Sequence, residues 1–170
     1  MAVIRELRGF TPKIGDNCFL AETSAIIGDV TMGNDCSIWY SAVLRGDVNT
    51  IILGDRVNVQ DCAVIHTLYK KSITEIGNDV SIGHNATIHG AKIEDKVLIG
   101  MGSTILDNAV IGTGSIIAAG ALVLSGTKVE PNSLYAGVPA RKVKDVSAEQ
   151  VKSIIEGTAT NYVMYADWYK

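Results

Sequence analysis

From Ile14 to Ala140 the chain repeats with a period of six, and few folds tolerate that period. The units read IGDNCF, LAETSA, IIGDVT, MGNDCS, IWYSAV, LRGDVN, then LGDRVN and VQDCAV after three extra residues, Thr50 to Ile52. Ile65 to Glu75 is an eleven-residue unit, one hexad carrying a five-residue loop. The run closes with IGNDVS, IGHNAT, the five-residue IHGAK, IEDKVL, IGMGST, ILDNAV, IGTGSI, IAAGAL, VLSGTK, VEPNSL and YAGVPA, twenty units in all.

The first position of nearly every unit is aliphatic, the fifth is usually Ser, Thr, Ala, Val or Cys, and Gly, Asn and Asp crowd the positions between. A large and a small residue therefore point inward from each short strand. Gly and Asn are expected at the corners, where bulkier side chains would strain the backbone. Three hexads make one triangular coil, and coils stack at the β-ladder spacing of roughly 4.8 Å. No coil can bury its inner face alone, so the stack folds as a parallel β-solenoid of six to seven coils. Cys18 and Cys36, eighteen residues apart at the fifth position, read as small inward fillers one coil above the other.

Composition narrows the function classes. Seventeen glycines and only 6% aromatic residues argue against a helical bundle. A formal net charge of −3 without a basic run offers no footprint for nucleic acid or an acidic membrane. The first ten residues carry charges within a short apolar stretch, unlike a signal peptide, and no window is long and apolar enough to span a bilayer. A soluble, cytoplasmic protein is expected. Three cysteines, including Cys62, form neither a zinc pattern nor a disulfide framework.

Residues 1–146 are expected to form the solenoid and 147–170 a helix packed on it. Ser147 to Gln150 reads as a capping box, and Val151, Ile154, Ile155, Tyr162 and Ala166 recur at helical spacing, with Gly157 as a weak point.

The three histidines fall in register with the repeat. His66 and His89 are both second in their units, three units apart, so they stack along one corner about 5 Å apart at the backbone. Arg45 precedes them in the same column. His84 is third in its unit and stands at another corner, above Asp61. If a neighbouring copy brought that corner alongside, His84 would meet the other pair. Three imidazoles with an open fourth position are the ligand set of a catalytic zinc, and the set also suits cobalt or iron.

At RGDVN (Arg45 to Asn49), VQDCAVIH (Val59 to His66), IGHNATIHG (Ile82 to Gly90) and AGVPAR (Ala136 to Arg141) the sequence resembles the gamma-class carbonic anhydrases. The resemblance covers nearly the whole chain. It implies a left-handed coil, an exception to the usual crossover rule. It also implies a homotrimer with metal sites between subunits, two histidines from one chain and the third from its neighbour. The metal ligands would be His66, His84 and His89. Gln60 would face the metal-bound hydroxide, Arg45 and Asp47 would form a pair at the site and interface, Asp61 would be a further interface acid, and Tyr162 would stand beside the site. The implied reaction is reversible hydration of CO2 to bicarbonate by the metal-bound hydroxide.

Two features depart from the best-active members of that family. They carry a glutamate after the aspartate matching Asp47, where this chain has Val48. Their acidic loop, with its proton-shuttling glutamate, is replaced here by the short, basic TLYKKS (Thr67 to Ser72), so weak activity is expected. The alternatives are a hexapeptide acyltransferase using a lone histidine as base, a metal-dependent acyl-CoA thioesterase, and a non-catalytic trimeric scaffold.

Overall fold

In the computed structural model, which describes all 170 residues, the chain is a parallel β-solenoid of about seven turns with one C-terminal helix, matching a left-handed β-helix of hexapeptide repeats. Its three faces carry three inward stacks. Ile26, Leu44, Ile65, Ile88, Ile105 and Val123 lie one above another on the first face. Met32, Leu53, Ile76, Ile93, Ile111 and Val129 do so on the second. Leu20, Ile38, Val59, Ile82, Ile99 and Ile117 fill the third, ending on Tyr135. All of these but the partly buried Leu20, together with small fifth-position residues, belong to one cluster of 31 buried side chains, so the prism has a single core. Truncating one of the buried isoleucines to alanine costs about 2–5 kcal/mol, because neighbouring coils are hydrogen-bonded in place and cannot close the void.

The first two faces belong to one eleven-stranded sheet, because strands Ala25–Met32 and Val43–Leu53 each run round the corner between them. The three extra residues are absorbed at that corner. Gly28 pairs with Gly46, but Val30 pairs with Ile51. Ile51 therefore takes the inward place that strict hexad counting gives to Val48, and Asp47 to Thr50 bulge outward.

Four other details differ from strict periodicity. The stack starts before Ile14, since Val3–Arg5 pairs with Ala25–Ile27 and Lys13 bridges Thr31. YAGVPA does not form a further coil: Ser133–Gly137 turns back through Val138 and Pro139 and pairs antiparallel with Ala140–Asp145. The corners are not reserved for Gly and Asn, because Arg56, Cys62 and Lys96 also adopt positive φ. The inter-coil hydrogen bonds impose that geometry at a cost of roughly 1–2 kcal/mol per residue. The helix, finally, is phased differently from its sequence pattern.

That helix opens on the expected capping box, with Ser147 and Gln150 bonded reciprocally. It widens into a π-helical segment over Val151–Glu156 and resumes as α-helix over Gly157–Asp167. The wider turn shifts the phase, so Ile154 faces solvent while Ile155, Ala159 and Ala166 are buried. Gly157 does not break the helix. The helix covers the third face, where Phe19, Ala21 and Trp39 pack with Ala166 beside Tyr40, Tyr162 and Tyr165. It is not long and apolar enough to cross a membrane. Cys36 is buried in the main cluster with Cys18 packed against it, as fillers should be.

Candidate metal centre

His66 and His89 are directly paired on adjacent strands of the first face, and Arg45 precedes them in the same line, one coil below His66. The strands end at the corner between the first and second faces, so each side chain after the last inward isoleucine projects there. His66 Nε2 donates to Asp47 Oδ1 at 2.9 Å, and His89 Nδ1 donates to Asp107 Oδ2 at 2.9 Å. A carboxylate can only accept, so each bond fixes the proton on the outer nitrogen of its ring. The inner nitrogens, His66 Nδ1 and His89 Nε2, then face each other 3.2 Å apart, and with both rings neutral they present two lone pairs to the same point. That arrangement repels unless a cation lies between the rings. With metal–nitrogen bonds of about 2.0–2.1 Å, two ligands of a tetrahedral zinc stand about 3.3–3.4 Å apart, so the pair fits such an ion.

Asp47 reaches His66 because the three-residue insertion bulges its corner outward. Its other oxygen takes a hydrogen bond from Arg45. Burial alone would raise the Asp47 pKa, but the bonds from His66 and Arg45 outweigh it and hold the carboxyl below its ordinary value. Asp107 behaves alike: burial pushes upward, and the bonds from Ser72 and His89 bring it down. Asp107 and Ser72 escaped sequence reasoning. The available signal was that Asp107 lies one coil above His89, a position further along its unit.

His84 stands at the corner between the third and first faces and does not join the other two within one chain. No group of three His, Cys, Asp or Glu side chains in the chain is placed to hold a metal ion. His84 Nδ1 lies 2.8 Å from Asp61 Oδ2, a close contact that becomes an ion pair when the ring is protonated. Beside it a cleft of about 310 Å³ runs between the helix and the third face, lined by Gln60, His84, Leu98, Met101, Thr158 and Tyr162. Gln60 is buried, and its Nε2 donates to Asn58 Oδ1 at 3.0 Å. Tyr162 packs edge-on against Trp39, and its phenol is pushed up to about 12 by burial first and by the Asp61 charge second. The candidate residues thus divide into two groups: Arg45, Asp47, His66 and His89 at one corner, and Gln60, Asp61, His84 and Tyr162 at another.

Comparison with known proteins places this architecture. The family model for the bacterial transferase hexapeptide (six repeats) matches residues 11–46 and 90–125. A Methanocaldococcus jannaschii protein named "Probable carbonic anhydrase" is 56% identical over 91% of this chain and 96% of its own length. The chain belongs to the gamma-class carbonic anhydrase-like family of hexapeptide-repeat proteins. Within that family, gamma carbonic anhydrase 1 of Arabidopsis thaliana mitochondria is 40% identical over 89% of this chain and 56% of its own length. A solved hexapeptide transferase family protein from Anaplasma phagocytophilum superposes with a TM-score of 0.94, at 37% identity, covering 99% of this chain and 98% of that one. Gamma-class relatives and proteins described as transferases therefore share one scaffold.

Proposed function

We propose that this protein is a metal-dependent carbonic anhydrase, hydrating CO2 reversibly at sites shared between the subunits of a homotrimer. The observation that carries this reading is common to all three histidines: each has one ring nitrogen within 2.9 Å of a carboxylate oxygen, hydrogen-bonded at His66 and His89 and in close contact at His84. Metal-ligating histidines are oriented in this way by outer carboxylates. His66 and His89 would supply two ligands from one chain, and His84 of a neighbouring copy the third. Zinc is the metal proposed, with cobalt or iron as alternatives of the same ligand set. Held by three imidazoles with one position open, zinc brings bound water to a pKa near 7.

This chain's own residues would do the rest. The Arg45–Asp47 pair holds His66 and sets a fixed dipole at the site's edge. Gln60, anchored through Asn58, would orient the substrate by its amide. The cleft walls Leu98 and Met101 give an apolar approach suited to an uncharged gas. Val48 and Thr67 to Ser72 offer no carboxylate for exporting the proton, so buffer must carry it. An acyltransferase would use one histidine as a base, whereas here His66 and His89 face each other 3.2 Å apart, as two ligands of one ion would.

The test is metal analysis of the purified oligomer together with stopped-flow CO2 hydration. The expected result is one metal per chain in a trimer and a slow rate that rises with buffer concentration. A stable monomer, or a metal-free trimer that turns over acyl-CoA and not CO2, would overturn the proposal.

A further inference from the structure

We propose that Asp107 is a positioning residue for His89, and that the short loop Thr67 to Ser72 serves to hold Asp107 in place through Ser72. The inference rests on the metal reading above and gives the loop a role which that reading leaves empty. Asp107 uses both of its oxygens. Oδ2 accepts from His89 Nδ1 at 2.9 Å, and Oδ1 accepts from Ser72 Oγ at 2.5 Å. Ser72 is buried, and its position is fixed twice more. Its Oγ accepts from the Leu68 N–H at 3.1 Å, and its carbonyl accepts from Asn49 Nδ2 at 2.8 Å.

A third residue makes room for the arrangement. Gly90 follows His89 with φ of +63°, and a Cβ there would stand 2.0 Å from Ser72 Oγ and 2.3 Å from Asp107 Oδ1. Any side chain at Gly90 would push the serine and the aspartate off the histidine. The loop exposes Leu68, Tyr69, Lys70 and Lys71 to solvent yet buries Ser72 against the ligand corner. What it contributes to the site is one hydroxyl rather than an acid. That hydroxyl holds Asp107 where it keeps the proton on His89 Nδ1, so Nε2 is the nitrogen that faces His66.

Three variants test this: Asp107→Ala, Asp107→Asn and Ser72→Ala. Zinc affinity is measured by chelator competition, and the His89 tautomer by 15N NMR of the metal-free protein, where three histidines give a simple spectrum. Asp107→Ala should weaken zinc binding about 10–100-fold and mix the His89 tautomers, while the circular dichroism spectrum and oligomeric state are retained. Asp107→Asn keeps an acceptor for the ring N–H, so it should restore the Nδ1–H tautomer and part of the affinity. Ser72→Ala should weaken binding by no more than about tenfold. A purely structural role would move neither tautomer nor affinity. Asp107→Ala with a wild-type tautomer, or with zinc affinity within about threefold of wild type, would overturn the proposal. Should the wild-type protein itself take up no zinc, the metal reading fails, and the tautomer measurement alone decides the role of Asp107.

Discussion

The two histidine corners are built to different standards. At the His66–His89 corner, six side chains close on one another: Asp47 and Arg45 beside one ring, Asp107 and Ser72 beside the other, with the facing ring nitrogens 3.2 Å apart. At the His84 corner the ring has one close contact, with Asp61, and the two side chains are 38% and 39% exposed. The first corner is preorganised within the chain, and the second keeps more freedom to adjust. That division would suit the proposed site across a subunit contact, because the looser partner could take up docking errors.

The largest effect should come from separating the two corners genetically. His66→Ala and His84→Ala should each abolish tight zinc binding in pure oligomers. When the two variants are unfolded and refolded together, a chain carrying intact His66 and His89 can meet a neighbour carrying intact His84. Random assembly then restores about a quarter of the sites, measured as zinc content of verified mixed trimers. Zinc remaining at the single-variant level would refute a shared site and the comparison with it.

A smaller effect should sharpen the contrast in preorganisation. Asp47→Asn removes the carboxylate from a partly buried, doubly bonded network, and zinc affinity by chelator competition should fall about tenfold or more. Asp61→Asn removes a charge that water already screens at an exposed pair, so the fall should be several times smaller. Equal losses would mean that the corners do not differ in the way their exposure suggests.

The smallest effect concerns the cleft beside His84. The Tyr162 phenol has a folded pKa of about 12, above its ordinary 10. The neutral phenol is the form the folded state favours. Its contribution is therefore complete below pH 10 and is lost as pH rises through the window to about 12. Tyr162→Phe should flatten the decline of melting temperature over that window and leave it unchanged at neutral pH. A parallel decline in both proteins would contradict the burial of this side.

Much of this is legible in the sequence. The hexad period dictates the three inward stacks, and counting units puts His66 above Arg45 and His84 above Asp61 because one residue of offset in a fixed period means a different corner. What escaped depends on contacts that a period does not encode. Val3–Arg5 has no hexad of its own and is held by pairing with Ala25–Ile27. The phase of the helix changed through a π-helical turn that propensity cannot foresee, which exposes Ile154. Asp107 lies eighteen residues from His89. Its partner Ser72 sits in an insertion, where the repeat stops informing position.

The reversed strand Ala140–Asp145 bears on how long such a body can grow. A stack of identical coils has no intrinsic length, and a bare last coil would accept the first strand of another molecule. Here the terminal ledge runs opposite to every other strand and presents Arg141, Lys142, Lys144 and Asp145. A newcomer in the parallel sense finds neither matching direction nor an uncharged rim. The hairpin works as a terminator, and keeps a modular architecture from becoming a fibre.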